Sequence, residues 1–137
     1  MILGIGVDIV EIRRIKEAME RNDKFIEKLF NIEEIEYIKS RGYRAEYVAG
    51  RFAAKEAVSK ALGTGFVGFG FKDIVIDRTA MGKPIAELRG KAKLLAEKLA
   101  NGCYRIMLSI SHGEDSAIAY VIIEEDKVEV ENRESGN

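Results

Sequence analysis

The chain has one cysteine, one histidine, no long apolar run and almost no net charge, and these scarcities exclude several classes of protein. The single cysteine, Cys103, rules out an internal disulfide and a metal site built from several cysteines, which fits a reducing compartment. The 22 basic and 23 acidic residues give a net charge of −1, so no overall positive field favours nucleic acid. No run of about 18 apolar residues is available to span a membrane, and no basic segment precedes the apolar N-terminus as in a signal peptide. We therefore expect a cytoplasmic protein that binds neither nucleic acid nor membrane.

The rest of the sequence predicts one domain over residues 1–123 and a charged C-terminal tail over residues 124–137, which we expect to be frayed. Hydrophobic periodicity distinguishes the main elements of this domain. They are a buried strand over 2–10, a long helix over 44–62, strands over 72–77 and 85–88, a helix over 91–100, and a hairpin of strands over 104–112 and 116–123. Short helices fill the region before the long helix. The predicted fold class is α+β, with a largely antiparallel sheet packed against a long helix.

The most informative segment lies in the long helix, over residues 51–62. One face of this helix carries an apolar stripe formed by Ala54, Ala57, Val58 and Ala61. The segment also carries more polar groups than packing requires, namely Arg51, Lys55, Glu56, Ser59 and Lys60. Glu56 and Lys60 lie one turn apart and away from the stripe. They are either a solvated ion pair worth ~0.3–0.5 kcal/mol or part of a site that binds a ligand.

Asp8 interrupts the apolar first strand, and its position requires an explanation. A carboxylate within such a strand is costly unless it is paired, hydrogen-bonded or bound to a metal. One interpretation is that Asp8 caps the helix that begins near Glu11. The other is that Asp8 belongs to a functional site.

His112, the only histidine, ends one strand of the predicted hairpin beside the turn 113–115, a position that suits either a structural or a functional side chain. A hydrolase triad of Ser109 or Ser111 with His112 and Asp115 is disfavoured. Ser111 and His112 are adjacent on a strand, so their side chains point to opposite faces, and no nucleophile elbow is present.

Residues 63–68 spell Gly-Thr-Gly-Phe-Val-Gly, which matches a dinucleotide-binding fingerprint in letters only. The segment follows a helix and leads to a strand. The fingerprint requires the opposite order, because the phosphates bind at the N-terminus of the following helix. We therefore interpret these glycines as a loop.

Three segments together resemble the holo-acyl carrier protein synthases, the short class of 4'-phosphopantetheinyl transferases. They are Gly4-Ile5-Gly6-Val7-Asp8, the Phe-x-x-Lys-Glu-Ala-x-x-Lys-Ala pattern of residues 52–61 preceded by Arg51, and Ser109-Ile110-Ser111-His112. The resemblance covers nearly the whole chain and implies the 4'-phosphopantetheinyl transferase fold. It further implies Mg²⁺-dependent transfer of phosphopantetheine from coenzyme A to a serine of apo-acyl carrier protein, with release of 3',5'-ADP, in support of fatty acid biosynthesis.

The resemblance also implies the roles of individual residues. Asp8 and Glu56 would be catalytic and hold the Mg²⁺, and Lys60 would be catalytic and bind the diphosphate of coenzyme A. The adenine and 3'-phosphate end would be lined by Arg51, the turn Gly82-Lys83-Pro84 and His112, although His112 also suits the diphosphate. Whether a metal-bound water or a carboxylate takes the proton of the serine is left open.

A basic helix face indicates where a protein partner docks. Residues 13–28 contain six basic and four acidic side chains, and Arg14 and Arg21 lie on one face because they are seven residues apart. Acyl carrier proteins are acidic as a family, so we expect Arg14 and Arg21 to contact one. A solvated face of mixed charge is the alternative. The resemblance implies a homotrimer with sites at subunit interfaces, whereas a catalytically silent binding module would use the same acids as caps and ion pairs.

Overall fold

The structure, a computed structural model, describes residues 1–127. Its elements are short helices and strands arranged around one long helix. In chain order they are β1 (Ile2–Glu11), α1 (Ile12–Arg21), α2 (Phe25–Leu29), α3 (Ile32–Ser40), α4 (Ala45–Ala61), a 3-10 turn (Phe71–Asp73), β2 (Ile74–Arg78), β3 (Pro84–Leu88), α5 (Gly90–Ala100), β4 (Tyr104–His112) and β5 (Ser116–Glu125). Within the described residues, no helix has the length and apolar character needed to cross a membrane.

Two antiparallel sheets make up the β part of the fold. The larger has the strand order β1-β5-β4, and the smaller is the hairpin of β2 and β3. The long helix α4 packs across the inner face of the larger sheet, and its small side chains share one core with Val121 and Ile123 of β5. The predicted α+β class, with a largely antiparallel sheet against a long helix, is confirmed.

Strand β1 is an edge strand, and the prediction that it is buried is wrong. Its inward positions face α4, but Ile5 and Ile9 are 66% and 64% exposed on the outer face, with Val7 exposed between them. An apolar run indicates a strand with two covered faces. Here only one face is covered, so the outer apolar face of the sheet is open in the single chain.

Helix α4 is buried on more sides than its apolar stripe predicts. The stripe itself is confirmed, since its four residues are buried. However, Lys55 is 0% exposed, and Ser59 and Arg51 are also buried. Because helices and strands surround α4, polar residues away from the stripe are also enclosed. The surplus of polar groups along α4 therefore does not all serve a ligand.

Lys55 is satisfied entirely by the protein. Its Nζ donates to Glu34 Oε1 at 2.8 Å, to the Leu29 carbonyl at 2.8 Å and to the Phe71 carbonyl at 3.0 Å. Glu34 in turn accepts from the backbone N–H of Ile76 at 3.0 Å and from that of Asn31 at 2.9 Å. A buried pair of this kind is tolerated only because every donor of the lysine has an acceptor. It fixes α4 against α2, α3 and the β2–β3 hairpin.

The C-terminal strand is longer than predicted. Strand β5 continues through Glu125, two residues past the predicted end of the domain, and the Asp126 N–H donates to the Cys103 carbonyl at 2.9 Å. The tail was predicted over residues 124–137, of which residues 128–137 lie outside the described part of the chain. The glycine segment 63–68 is a loop between α4 and the 3-10 turn, as expected.

Candidate functional site

The site begins where β1 crosses α4, and two glycines make that crossing possible. A Cβ atom on Gly4 would overlap the carbonyl oxygen of Ala61, and one on Gly6 would overlap that of Ala57. Alternate residues of a strand share a face, so Asp8 follows Gly4 and Gly6 on the side that faces α4. The close approach of two backbones therefore delivers the Asp8 carboxylate to the helix.

Asp8 is held by the lysine of the helix motif. Lys60 Nζ donates to Asp8 Oδ1 at 3.0 Å and to the Val7 carbonyl at 3.1 Å. Helix α1 begins at Ile12 with Glu11 as its N-cap residue, so Asp8 does not cap it. Among the described residues no ion pair joins Lys60 to Glu56; the lysine is paired across the two elements instead. The capping interpretation of Asp8 is therefore wrong, and its functional role stays a prediction.

Glu56 shares this site and is destabilised in its charged form. Partial burial raises the pKa of Glu56, the negative charge of Asp8 raises it further, and Lys60 partly offsets both effects. The charge of a carboxylate from a distant segment of the chain thus acts on Glu56, and the partly exposed Lys60 ammonium offsets it. An added cation relieves the repulsion between the two carboxylates. The structure brings together the three residues Asp8, Glu56 and Lys60, and their roles remain predictions.

The donor set fits a magnesium ion whose remaining ligands come from a substrate. No group of three or more histidine, cysteine, aspartate or glutamate residues suited to a metal occurs within residues 1–127. Mg²⁺ is commonly held by only one or two carboxylates, with phosphate oxygens and water completing its shell. Asp8 and Glu56 meet that requirement, and they do not suit a metal that needs nitrogen or sulfur ligands.

A second set of predicted residues meets in a cavity beside α4. The cavity has a volume of about 230 Å³ and contains four of them, Arg51, Gly82, Pro84 and His112. Its other lining residues are Tyr37, Glu46, Tyr47, Gly50 and Ile110. Lys83 does not line it; this lysine is exposed in the turn between Gly82 and Pro84. Of the three turn residues predicted to line the cavity, Gly82 and Pro84 therefore lie in its wall and Lys83 does not.

Arg51 is the buried charged residue of the cavity, whose lining also includes the acidic Glu46. Arg51 is 7% exposed, and its Nε is the only buried side-chain nitrogen or oxygen within the described residues that lacks a hydrogen-bond partner. Burial lowers the pKa of Arg51, Tyr37 raises it, and the positive charge of Arg78 lowers it. A guanidinium nevertheless stays protonated in proteins. An anion in the cavity would supply the missing acceptor.

His112 lies on the same side of the sheet as this cavity. Its ring packs edge-on against Tyr47 with 6.0 Å between ring centroids, and it pairs in register with the inward-facing Ala117. Ser111 is paired with Ile118 and belongs to the opposite face. The alternation of the strand therefore separates Ser111 from His112, which excludes them as partners in a hydrolase triad.

Comparison with known proteins decides the family. A family model described as the 4'-phosphopantetheinyl transferase superfamily matches residues 4–121, most of the chain. The chain belongs to the 4'-phosphopantetheinyl transferase superfamily. The resemblance drawn from the sequence motifs is thereby confirmed, together with the predicted enzyme class.

Relatives of this transferase are highly similar over nearly their full length. The holo-[acyl-carrier-protein] synthase of Clostridium kluyveri is 65% identical over 129 residues, which cover 94% of this chain and 95% of the relative. That of Clostridium acetobutylicum is 58% identical over 124 residues, covering 90% and 98%.

Solved structures agree with the fold. A holo-(acyl-carrier-protein) synthase from Bacillus anthracis in complex with coenzyme A (3',5'-ADP) has a TM-score of 0.75 and 38% identity, covering 92% of this chain and 99% of the other. The Neisseria meningitidis synthase has a TM-score of 0.79 and 38% identity, covering 91% and 100%.

The predicted docking residues lie on α1 of the transferase. Arg14 and Arg21 are both exposed, and Arg14 approaches Glu11 at 3.8 Å. Next to α1 is an apolar depression of about 310 Å³ whose lining includes Met19, Phe25 and Ile26. The charged residues in its lining are the acidic Asp23 and Glu27, so Arg14 and Arg21 lie on exposed α1 surface outside the depression.

Sequence reasoning missed the aromatic residues of the cavity. Tyr37 lies on α3 and Tyr47 on α4, and their rings meet edge to face at 6.3 Å between centroids. Neither tyrosine stands in a motif that separates it from ordinary helix residues. Their role follows only from the packing of α3 against α4.

Proposed function

We propose that this transferase moves the 4'-phosphopantetheine group of coenzyme A to a serine of apo-acyl carrier protein and releases 3',5'-ADP. The observation that carries the proposal is the convergence of Asp8, Glu56 and Lys60 next to a cavity that holds Arg51. Glu56 follows Arg51 by five positions in α4, which corresponds to ~7.5 Å along the helix axis. One elongated ligand with phosphates at two places fits this spacing.

The relatives support the same activity. Those of Clostridium kluyveri and Clostridium acetobutylicum are holo-[acyl-carrier-protein] synthases. The Bacillus anthracis structure is a complex with coenzyme A (3',5'-ADP), and the Helicobacter pylori synthase, 35% identical to this chain, was likewise solved with coenzyme A. Similarity of this extent over the whole domain favours a shared substrate.

The reaction replaces the phosphoanhydride bond of the diphosphate by a phosphate ester bond to serine. The serine oxygen of the carrier attacks the phosphorus that bears pantetheine, and the bond from that phosphorus to the oxygen of the adenosine 5'-phosphate breaks. The serine loses its proton, and 3',5'-ADP leaves with the electron pair of the broken bond. Negative charge grows on the departing phosphate, so catalysis depends on placing positive charge there.

The residues of this chain supply and position that charge. Lys60 offers an ammonium at the level of the diphosphate, and its bonds to Asp8 and the Val7 carbonyl fix its direction. Asp8 and Glu56 would hold Mg²⁺, which when bound neutralises the diphosphate and orients its oxygens. Partial burial of Glu56 strengthens these interactions, because charges attract more strongly away from water.

The nucleotide end of coenzyme A fits the cavity of Arg51. The diphosphate is assigned to Lys60 and the acid pair, so the remaining phosphate, on the 3' position, is the anion for the unpartnered Arg51 Nε. Gly82, Pro84 and His112 would line the adenosine, as their place in the cavity favours. Lys83 is exposed in the turn beside the cavity, so it would act on the phosphate only by long-range electrostatic attraction.

The activity is tested directly by mass spectrometry. The protein is incubated with coenzyme A, Mg²⁺ and an apo-acyl carrier protein, and we expect the carrier to gain the mass of one phosphopantetheine arm. Removal of divalent ions by a chelator should stop the gain, and added Mg²⁺ should restore it. No mass gain with several apo-carriers would overturn the proposal, and serine labelling by a fluorophosphonate would indicate a hydrolase.

The carrier is proposed to dock on the α1 face that holds Arg14 and Arg21. Reversing both charges, Arg14→Glu with Arg21→Glu, should raise the KM for apo-carrier by about tenfold at low ionic strength, because steering of an acidic partner is lost. Screening by salt should shrink this difference. The control is Lys91→Glu with Lys98→Glu, an exposed pair with the same spacing on α5. An equal change in both double variants would contradict docking on α1.

We also propose a homotrimer with the sites at its subunit boundaries, as the family resemblance implies. The outer face of β1, β5 and β4 supports self-association, because it exposes Ile5, Val7, Ile9, Tyr120 and Met107. Contiguous apolar surface of this kind marks an interface. Asp8 lies between Val7 and Ile9 on the same edge strand, with its side chain on the opposite face, toward Lys60 of α4.

Ile5→Glu is expected to convert the trimer to monomers, because a charge would be buried without a partner at the interface. Sedimentation velocity measures the change. The control is Met81→Glu, since Met81 is 94% exposed in the β2–β3 turn, away from the sheet face. A trimer that survives Ile5→Glu, or a monomeric parent protein, would refute this assembly.

The cellular setting follows from the proposed substrates. Acyl carrier protein carries the growing chain in fatty acid biosynthesis, so we place the transferase in that process and in the cytoplasm. The lone Cys103 agrees with a reducing compartment. Depleting the protein in its host should leave acyl carrier protein in the apo form, measurable by mass spectrometry. Fully modified carrier after depletion would contradict this assignment.

A further inference from the structure

Tyr37 is clamped between two arginines that come from different elements. The guanidinium carbon of Arg51, on α4, lies 3.8 Å from the ring centroid, and that of Arg78, at the end of β2, lies 4.0 Å from it. Both distances are well within the range of a cation–π contact. One ring thus joins α3, α4 and the β2–β3 hairpin at the wall of the cavity.

The two arginines are not equivalent. Arg51 is buried and lines the cavity together with Tyr37, whereas Arg78 is exposed and lines a separate surface depression that Tyr37 also borders. Tyr37 is therefore a wall between the two, with Arg51 on the cavity side. Arg78 holds the ring from outside, and its backbone pairs with Pro84, a further cavity residue.

The stack controls where the buried guanidinium points. Arg51 has an Nε without a partner, so hydrogen bonding at that atom does not fix the side chain. The nearby charge of Arg78 lowers the pKa of Arg51, and the Tyr37 side chain raises it; the ring of Tyr37 lies 3.8 Å from the guanidinium carbon. An arginine that binds phosphate needs a fixed plane, because its donors form a rigid fork.

We propose that Tyr37 is a positioning residue: backed by Arg78, it holds the Arg51 guanidinium in place to recognise the 3'-phosphate of coenzyme A. The inference rests on the proposed function, since that function supplies the ligand. Dephospho-coenzyme A lacks this phosphate. The proposal therefore makes Tyr37 responsible for discrimination between the two coenzymes, although it acts away from the reacting phosphorus. The role is assigned to the aromatic ring, because both guanidinium carbons lie within 4.0 Å of its centroid.

The experiment compares Tyr37→Leu with the matched variant Tyr37→Phe. The Kd values for coenzyme A and dephospho-coenzyme A are measured by calorimetry, and kcat is measured in the transfer assay. Tyr37→Leu should weaken coenzyme A binding by about tenfold, leave dephospho-coenzyme A within twofold and preserve kcat at saturation. Tyr37→Phe keeps the ring and should match the parent in all three measurements within about twofold.

A second variant guards against loss of folding. Because Arg78 is exposed, Arg78→Gln keeps the core intact, and it should weaken coenzyme A binding by about threefold without affecting dephospho-coenzyme A. Circular dichroism verifies that each variant is folded. If Tyr37→Leu does not fold, the result for Arg78→Gln tests the positioning role instead. The positioning role is overturned if the binding of coenzyme A and of dephospho-coenzyme A is weakened equally, or if neither is weakened. A Tyr37→Phe variant that behaves like Tyr37→Leu also overturns it. Failure of the parent protein to transfer phosphopantetheine would instead overturn the proposed function.

Discussion

Replacing Glu56 by glutamine is expected to lower kcat/KM for phosphopantetheine transfer by at least about 100-fold while the protein stays folded. The amide keeps the shape of the side chain but removes one of two negative charges at the proposed metal site. Glu56 makes no ion pair among the described residues that folding would lose, and its charged form is disfavoured by burial and by Asp8. Stability should therefore be unchanged or slightly higher at neutral pH.

The measurement is a steady-state assay over a range of Mg²⁺ concentrations, with thermal unfolding in parallel. The variant should need more Mg²⁺ for half-maximal activity, which separates loss of a metal ligand from general damage. Glu97→Gln on α5 is the control, since it removes a carboxylate far from the site and should leave the rate unchanged. Near-normal turnover by Glu56→Gln at low Mg²⁺ would rule out its role as a ligand.

The second large effect concerns Gly6, where the addition of one methyl group should destabilise the protein. In Gly6→Ala the new Cβ would overlap the carbonyl oxygen of Ala57, and neither backbone can move without separating β1 from α4. We expect the free energy of unfolding to fall by about 3 kcal/mol or more, at the upper end of overpacking effects. Activity should also fall, because Asp8 follows Gly6 on the same face of the strand.

Gly70→Ala is the matched control for this prediction. Gly70 has φ −118°, ψ −178° and no atom within 4 Å of an added Cβ, so alanine fits without strain. Its stability should be unchanged or higher by about 0.4–1 kcal/mol, because alanine restricts the unfolded chain. Urea unfolding of both variants gives the comparison. Equal stabilities for Gly6→Ala and Gly70→Ala would show that β1 and α4 do not need the close approach.

Local pattern was sufficient to place most elements. The alternation in residues 104–123 predicted the hairpin. Helix α3 belongs to the region where short helices were predicted, and its capping box is closed by a bond of 2.9 Å from Asn31 N to Glu34 Oε1. These features depend on contacts between residues near in sequence, which periodicity and capping describe well. Strand β2 begins later than predicted, at Ile74, because a 3-10 turn occupies residues 71–73.

Burial of polar groups was harder to foresee. Lys55 stands beside Glu56 in the motif, yet it is enclosed and bonded to Glu34, 21 residues away, while Glu56 faces the site. Nothing local separates two adjacent charged residues on a helix. Which one is enclosed depends on the elements that pack around α4, and the same holds for the exclusion of Lys83 from the cavity that contains Pro84.

The sequence by itself was sufficient to indicate the family and the α+β class and to predict the two acids and the lysine of the site, because short motifs fix residue types at set spacings. Only the tertiary structure decided that Asp8 reaches Lys60, that Arg51 is buried with an unpartnered nitrogen, and that Tyr37 is clamped by two arginines. The reason is physical: each of these contacts joins separate elements, and its existence depends on how closely their backbones pack. At Gly4 and Gly6 that closeness comes from the absence of a side chain.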